Sequence, residues 1–250
     1  MKSRIQTVLA ISSVAIISTA GVATAGSGNN ASVLQETPVT AIEGNSLSID
    51  QTVATNSNIA GVQRTGADPD NANLINDLED SSGDAPDTTE FLALTAPSLI
   101  TADTAGAATQ TGSGNEATIT VGGVDTFVGL RQTGDNNNAE ITSGSGQVLL
   151  FQEGDGNNGT LSTSDGALLA SLLQDGNENR ATVTVSGVDS EGLLAQIGDD
   201  NDTDLTVNTA GASVTFTVQG NNTSATLPAS VVSSAGGGQI TIIQRPLGSQ

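Results

Sequence analysis

Over residues 108–227 the chain alternates apolar and polar residues in short runs, and the runs return at a fixed interval. Asn115, Ala117, Ile119 and Val121 lie two apart, with Thr118 and Thr120 between them. Asn179, Ala181, Val183 and Val185 repeat the arrangement around Thr182 and Thr184, as do Asn201, Thr203, Leu205 and Val207 around Asp204 and Thr206. A second kind of run ends in an amide or its replacement: Val128-Gly-Leu130-Arg-Gln132, Val148-Leu-Leu150-Phe-Gln152, Val214-Thr-Phe216-Thr-Val218. Period-two alternation predicts half-buried strands, with β-branched Thr facing water. Each repeat therefore predicts strand, turn, strand, turn.

The runs are joined by one short phrase. Its clear copies are Gln110/Gly112/Asn115/Ala117, Gln132/Gly134/Asn137/Ala139 and Gln174/Gly176/Asn179/Ala181. Gln152/Gly154/Asn157/Gly159 and Gln196/Gly198/Asn201/Thr203 keep three of the four, and a sixth copy reads Val218/Gly220/Thr223/Ala225. Starts at 110, 132, 152, 174, 196 and 218 give a period near 22 residues, the signature of a stacked repeat. The expected fold is all-β, a β-solenoid of strand-turn-strand rungs. The step from amide to Asn position is five residues in every copy, so the turn carrying Gly112, Gly134, Gly154, Gly176, Gly198 and Gly220 is constrained. The short second repeat loses its residues near Gly144-Ser-Gly146, in the opposite turn, where length is free.

Alternation places Gln132 on the face of Leu130 and Val128, and Asn137 on that of Ala139 and Ile141. The amides therefore point inward. An unpaired buried amide costs about 1–3 kcal/mol. Rungs stacked about 4.8 Å apart remove that cost, because each amide donates to its copy on one side and accepts on the other. Continuous ladders are expected along Gln110, Gln132, Gln152, Gln174 and Gln196, and along Asn115, Asn137, Asn157, Asn179 and Asn201. Gly two places after Gln permits the positive φ of a tight arc. An end rung carries open strand edges that template another chain. Val218 and Thr223 blunt the C-terminal end of the array; beyond them Gln239-Ile-Thr-Ile-Ile-Gln244 is a last rung or a joining surface.

The rest of the chain divides around the array. Residues 1–25 read as a signal peptide, with Lys2 and Arg4, an apolar stretch from Ile5 to Ile17 and an Ala23-Thr-Ala25 cleavage site. Residues 26–75 hold irregular relatives of the phrase, Asn29/Ala31/Gln35 and Asn45/Leu47/Gln51. Residues 76–107 form an acidic linker and an apolar segment, Phe91 to Ile100, read as a strand or short helix closing the array. Residues 108–227 are the six-repeat solenoid, and 228–250 a tail with a possible last strand.

Composition narrows the function. Without the signal the only bases are Arg64, Arg131, Arg180 and Arg245, against 27 acids. That balance argues against nucleic acid and against anionic membrane surfaces, and no later stretch suits membrane insertion. There is no Cys, His, Trp or Tyr and only four Phe, which removes disulfides, thiol or imidazole catalysis and aromatic ligand platforms. Acid pairs such as Glu79-Asp80 or Asp199-Asp200 sit in a chain so acidic that coincidence explains them; no enzyme and no cofactor is expected.

The spacing Gln-x-Gly-x-x-Asn-x-Ala on this period resembles the curlin repeat of curli-type bacterial functional amyloids. That family's fuller pattern starts with Ser six before the Gln, where this chain has Thr104, Thr126, Gly146, Leu168, Ser190 and Ala212. It ends with a second Gln, matched here fully only by Asn29/Ala31/Gln35. The resemblance implies a fibre subunit passed through a dedicated curli-type outer-membrane secretion channel with accessory proteins. It implies assembly with itself, or co-polymerisation with another curlin subunit, into adhesive extracellular fibres of a biofilm matrix.

Two other readings attach to particular residues. Asp135, Asp155 and Asp199 each lie three after a Gln and are expected on one edge, either as a Ca²⁺- or pH-sensitive column or as a solvated acidic turn. Outward Thr pairs suit ice binding by a monomeric solenoid, or simply exposed strands. A monomeric secreted adhesin or ligand-binding module is thus the alternative to a fibre.

Overall fold

The structure, a computed structural model, describes residues 24–38, 41, 43–64, 100–103, 106–163, 169–227 and 239–244. The described residues form strands and turns with no helix, and parallel strands recurring about every 22 residues build a β-solenoid. One sheet, called A here, runs in order through Thr24–Ser27, Ser46–Thr55, Glu116–Val124, Asn138–Ser143, Asn158–Thr163, Arg180–Val185, Asp202–Val207 and Ser224–Leu227. Sheet B runs from Asn30–Ala31 through Asn58–Arg64, Phe127–Thr133, Gln147–Glu153, Leu169–Asp175, Glu191–Ile197 and Ser213–Gln219 to Gln239–Gln244.

Register is kept from rung to rung, so each inner position becomes a column. In sheet A, Ala117, Ala139, Gly159, Ala181 and Thr203 align, and beside them Ile119, Ile141, Leu161, Val183 and Leu205. In sheet B, Leu130, Leu150, Leu172, Leu194 and Phe216 align. All these residues are buried, and most belong to one core between the sheets. Each fully buried Leu or Phe contributes about 1.5–3 kcal/mol, and stacking makes the gain recur with every rung. The small column beside the Leu column lets the two sheets approach. At Gly159 even a Cβ would lie 2.8 Å from Leu172 Cδ2.

The boundary expected between residues 107 and 108 falls inside a rung. Asn58, Ile59 and Ala60 pair with Phe127, Val128 and Gly129, while Thr109, Gln110 and Thr111 pair with Arg131, Gln132 and Thr133. One rung is therefore spliced from two segments, the first reaching Ala60 and the second beginning at Ala108. At the splice, Gly61 N–H donates to the Gly106 carbonyl at 3.1 Å, and the Asp103 carboxylate holds Gly106 N–H at 2.9 Å. Residues 26–64 continue the same stack rather than preceding it, and Gln239–Gln244 adds a rung strand paired with Ser213–Val218. Of the segment from Phe91 to Ile100, only Ile100 lies within the described residues; it opens the strand Ile100–Asp103, antiparallel to Gly61–Arg64. The signal segment lies outside the described residues up to 23, and the expected cleavage site reaches into the strand Thr24–Ser27.

Candidate assembly site

The arc after each Gln is the most uniform part of the molecule. Its glycines hold φ between 107° and 125° (Gly112, Gly134, Gly154, Gly176, Gly198 and Gly220), a region costly for any residue with a Cβ. Space is as restrictive as φ: a Cβ on Gly154 would lie 2.7 Å from the Gly176 carbonyl carbon in the next rung. Two residues on, a second left-handed position is filled by Gly114, Asn136, Gly156, Glu178, Asp200 and Asn222. That position has no fixed residue; its bias toward Gly, Asn and Asp is the only signal the sequence holds.

The inward amides meet across rungs. Gln110 Nε2 donates to Gln132 Oε1 at 2.7 Å, Gln132 to Gln152 and Gln152 to Gln174 at 2.8 Å, and Gln174 to Gln196 at 2.9 Å. The second Nε2 hydrogen of Gln110, Gln132, Gln152, Gln174 and Gln196 goes to the backbone carbonyl of Ser46, Glu116, Asn138, Asn158 and Arg180 respectively. Asn137 turns both its backbone N–H and its Nδ2 on Asn115 Oδ1 at 3.0 Å. Asn157, Asn179 and Asn201 do the same to Asn137, Asn157 and Asn179. The Nδ2 of Asn115, Asn137, Asn157 and Asn179 also reaches the carbonyl of Gly134, Gly154, Gly176 and Gly198 at 2.7–2.8 Å. Each Asn thus ties its own rung to the glycine arc of the next, which accounts for their fixed separation.

The two ladders have opposite polarity. From amide to amide, Gln donates toward the C-terminal end of the stack and Asn toward the N-terminal end, the second Nδ2 hydrogen of Asn going the other way, to the glycine carbonyl. The sequence pattern carries no sign of this, because donor direction depends on which way each amide rotates once its neighbours are in place.

Both ladders extend below the six copies. Gln35 Nε2 donates to Gln110 Oε1 at 2.6 Å, and Asn45 Oδ1 accepts the Asn115 N–H at 3.0 Å. These two belong to one rung although residues 36–44 separate them, so the arc of constant length starts only with Gln110. A separate network at the N-terminal end joins Asn29, Gln51 and Ser57, all buried. At the other end Val218 takes the Gln position, and Gln196 Nε2 closes instead on the Asn201 carbonyl at 3.2 Å. Thr223 keeps only the backbone half of the Asn ladder, donating its N–H to Asn201 Oδ1 at 3.1 Å.

Asp135, Asp155 and Asp199 share a column whose gaps are filled by Asn177 and Asn221. Each Oδ1 accepts a backbone N–H from the rung before: Ser113 to Asp135, Asp135 to Asp155, Asp155 to Asn177, Asn177 to Asp199, Asp199 to Asn221, at 2.7–2.9 Å. The acids therefore serve the stack as acceptors, a role Asn fills equally well. Among the described residues no three His, Cys, Asp or Glu are grouped to hold a metal ion. At the leading Ser position of the curlin pattern, Ser190 is buried and its Oγ donates to the Thr209 carbonyl at 2.5 Å. Thr126 Oγ1 likewise reaches the Gly122 carbonyl, so both close the opposite turn.

No family model matches this chain, and neither does any curated protein or solved structure compared with it.

Proposed function

We propose that this chain is an exported structural subunit that adds to copies of itself, end to end, in extracellular fibres. The observation that supports it most is the match between the two ends of the stack. Ile240, Ile242 and Gln244 lie in register above Val214, Phe216 and Val218. Ala31, Val33 and Gln35 open the same three columns at the other end, below Ile59, Ala108 and Gln110. Set on a second copy, the C-terminal strand brings Ile240 over Ala31, Ile242 over Val33 and Gln244 over Gln35. Ladder polarity is compatible with this joint: Gln35 uses its Nε2 on Gln110, leaving its Oε1 as the acceptor a Gln244 amide of the preceding copy would need. Such a head-to-tail contact does not close on itself and generates a filament. The excess of acids keeps single chains soluble until they meet.

A monomeric surface-binding solenoid is the second reading, favoured by the unbroken outward column Thr120, Thr142, Ser162, Thr184, Thr206. One experiment separates the two. Leu34 aligns with Thr109 and Arg131, and Ile243 with Thr217, so both occupy one column at opposite ends, about 34 Å apart within a chain. Across a head-to-tail joint they would be about 4.8 Å apart, within reach of a disulfide. Because the chain has no Cys, the Leu34→Cys/Ile243→Cys variant is unambiguous. Fibres with cross-β diffraction that yield covalent multimers on oxidation are expected. A stable monomer without fibres would refute the proposal and favour the monomeric reading.

A further inference from the structure

Among the described residues, sheets A and B each run through eight strands, and Thr24–Ser27 is the outermost of sheet A at the N-terminal end. Its register is defined: Thr24 lies beside Asp50 and Ala25 beside Gln51, on the edge of Ser46–Thr55. Gln51 is buried there, with its Nε2 on Ser57 Oγ at 3.1 Å. Cleavage at Ala23-Thr-Ala25 would cut this strand between Ala25 and Gly26 and remove both paired residues.

That loss falls on the end-to-end joint of the fibre reading, on which this inference rests. With Thr24–Ser27 in place, each sheet of one copy meets a strand of the same sheet in the next. Without it, sheet B brings eight strands to the joint and sheet A seven. Ser224–Leu227 and Ser46–Ile49 occupy the same four columns at opposite ends of the stack. Across the joint they would then face each other about 9.6 Å apart, two strand spacings, with the backbone groups on both edges unpaired.

We propose that the leader is removed five residues earlier, after Ala20 in Ser18-Thr-Ala20, so that Thr24–Ser27 stays in the mature subunit as the sheet A half of its joint. Ser18 and Ala20 are small residues two apart, directly after the apolar stretch that ends at Ile17, as such a site requires. Water adds across the Ala20–Gly21 amide, leaving a carboxylate on Ala20 and a new amino terminus on Gly21. Gly21-Val-Ala23 then precede Thr24, and counted back from Asp50 they match Leu47, Ser48 and Ile49. Three of the four positions that face Ser224–Leu227 are thereby supplied.

The test expresses the full chain with its own leader in a bacterial host and reads the exported protein by N-terminal sequencing. The expected start is Gly21-Val-Ala-Thr-Ala. A start at Gly26-Ser-Gly would overturn the proposal without touching the fibre reading. Purified chains beginning at Gly21 and at Gly26 test the strand itself. Amide exchange over residues 46–51 should be about tenfold or more faster in the shorter chain, and its fibre growth slower. Equal exchange and equal growth would overturn the strand's role at the joint. A Gly21 chain that is protected yet stays monomeric refutes the fibre reading and leaves the processing site standing.

Discussion

Replacing Gln152 by Leu tests whether the buried amides act as a ladder or as separate side chains. Gln152 is fully buried; it accepts from Gln132 Nε2, and donates to Gln174 Oε1 at 2.8 Å and to the Asn138 carbonyl at 2.9 Å. Leu fills a similar volume and strands two neighbours, the outward hydrogen of Gln132 and the acceptor of Gln174. At about 1–3 kcal/mol for each stranded group the cost is about 2–6 kcal/mol, less about 1–2 kcal/mol from the added apolar burial. The informative variant is the double one, Gln152→Leu/Gln174→Leu. It again strands two amide groups, now on Gln132 and Gln196, so a ladder predicts a cost close to the single variant's and well short of twice it. Gln196→Leu, at the end of the ladder, strands only Gln174 and should cost about half as much as Gln152→Leu. Hydrogen exchange of the flanking rungs, with chemical denaturation of the monomer, measures all three. Strict additivity of the two substitutions, or equal costs at Gln152 and Gln196, would refute the ladder.

Two further substitutions probe the columns. Gly154→Ala places a Cβ at φ 107° and against the Gly176 carbonyl, and should cost several kcal/mol and open the adjoining arc to exchange. Gly159 and Thr203 occupy one inner column, yet Ala should have opposite effects there. Gly159→Ala forces a Cβ to 3.1 Å from both Gln152 Nε2 and Gln174 Oε1, and lowers the melting temperature. Thr203→Ala removes a buried hydroxyl that has no partner and should be neutral or stabilising by up to about 1 kcal/mol.

Much of the candidate site was legible because its causes are local. Alternation two residues apart shows which way Gln132 or Asn137 points, and a buried amide has few ways to avoid its cost. The constant arc was visible for the same reason: its length is counted along the chain. Gln35 and Asn45 were harder, since residues 36–44 hide that they share a rung. Asn177 and Asn221 escaped because only the acids of that column suggested a chemistry, whereas the stack asks only for an acceptor oxygen.

The sequence by itself determined the rung: two strands, a glycine arc, inward amides, and hence a need to stack. The tertiary structure alone decided which segments lie side by side. It joined Asn58–Ala60 to Ala108–Thr111, set the amide-to-amide bonds of the two ladders in opposite directions and laid the antiparallel pair Gly61–Arg64 and Ile100–Asp103 against the outside of sheet B. These follow from pairing between strands far apart in the chain. Such pairing is fixed by the shape and hydrogen-bonding capacity of surfaces that exist only once neighbouring rungs have formed.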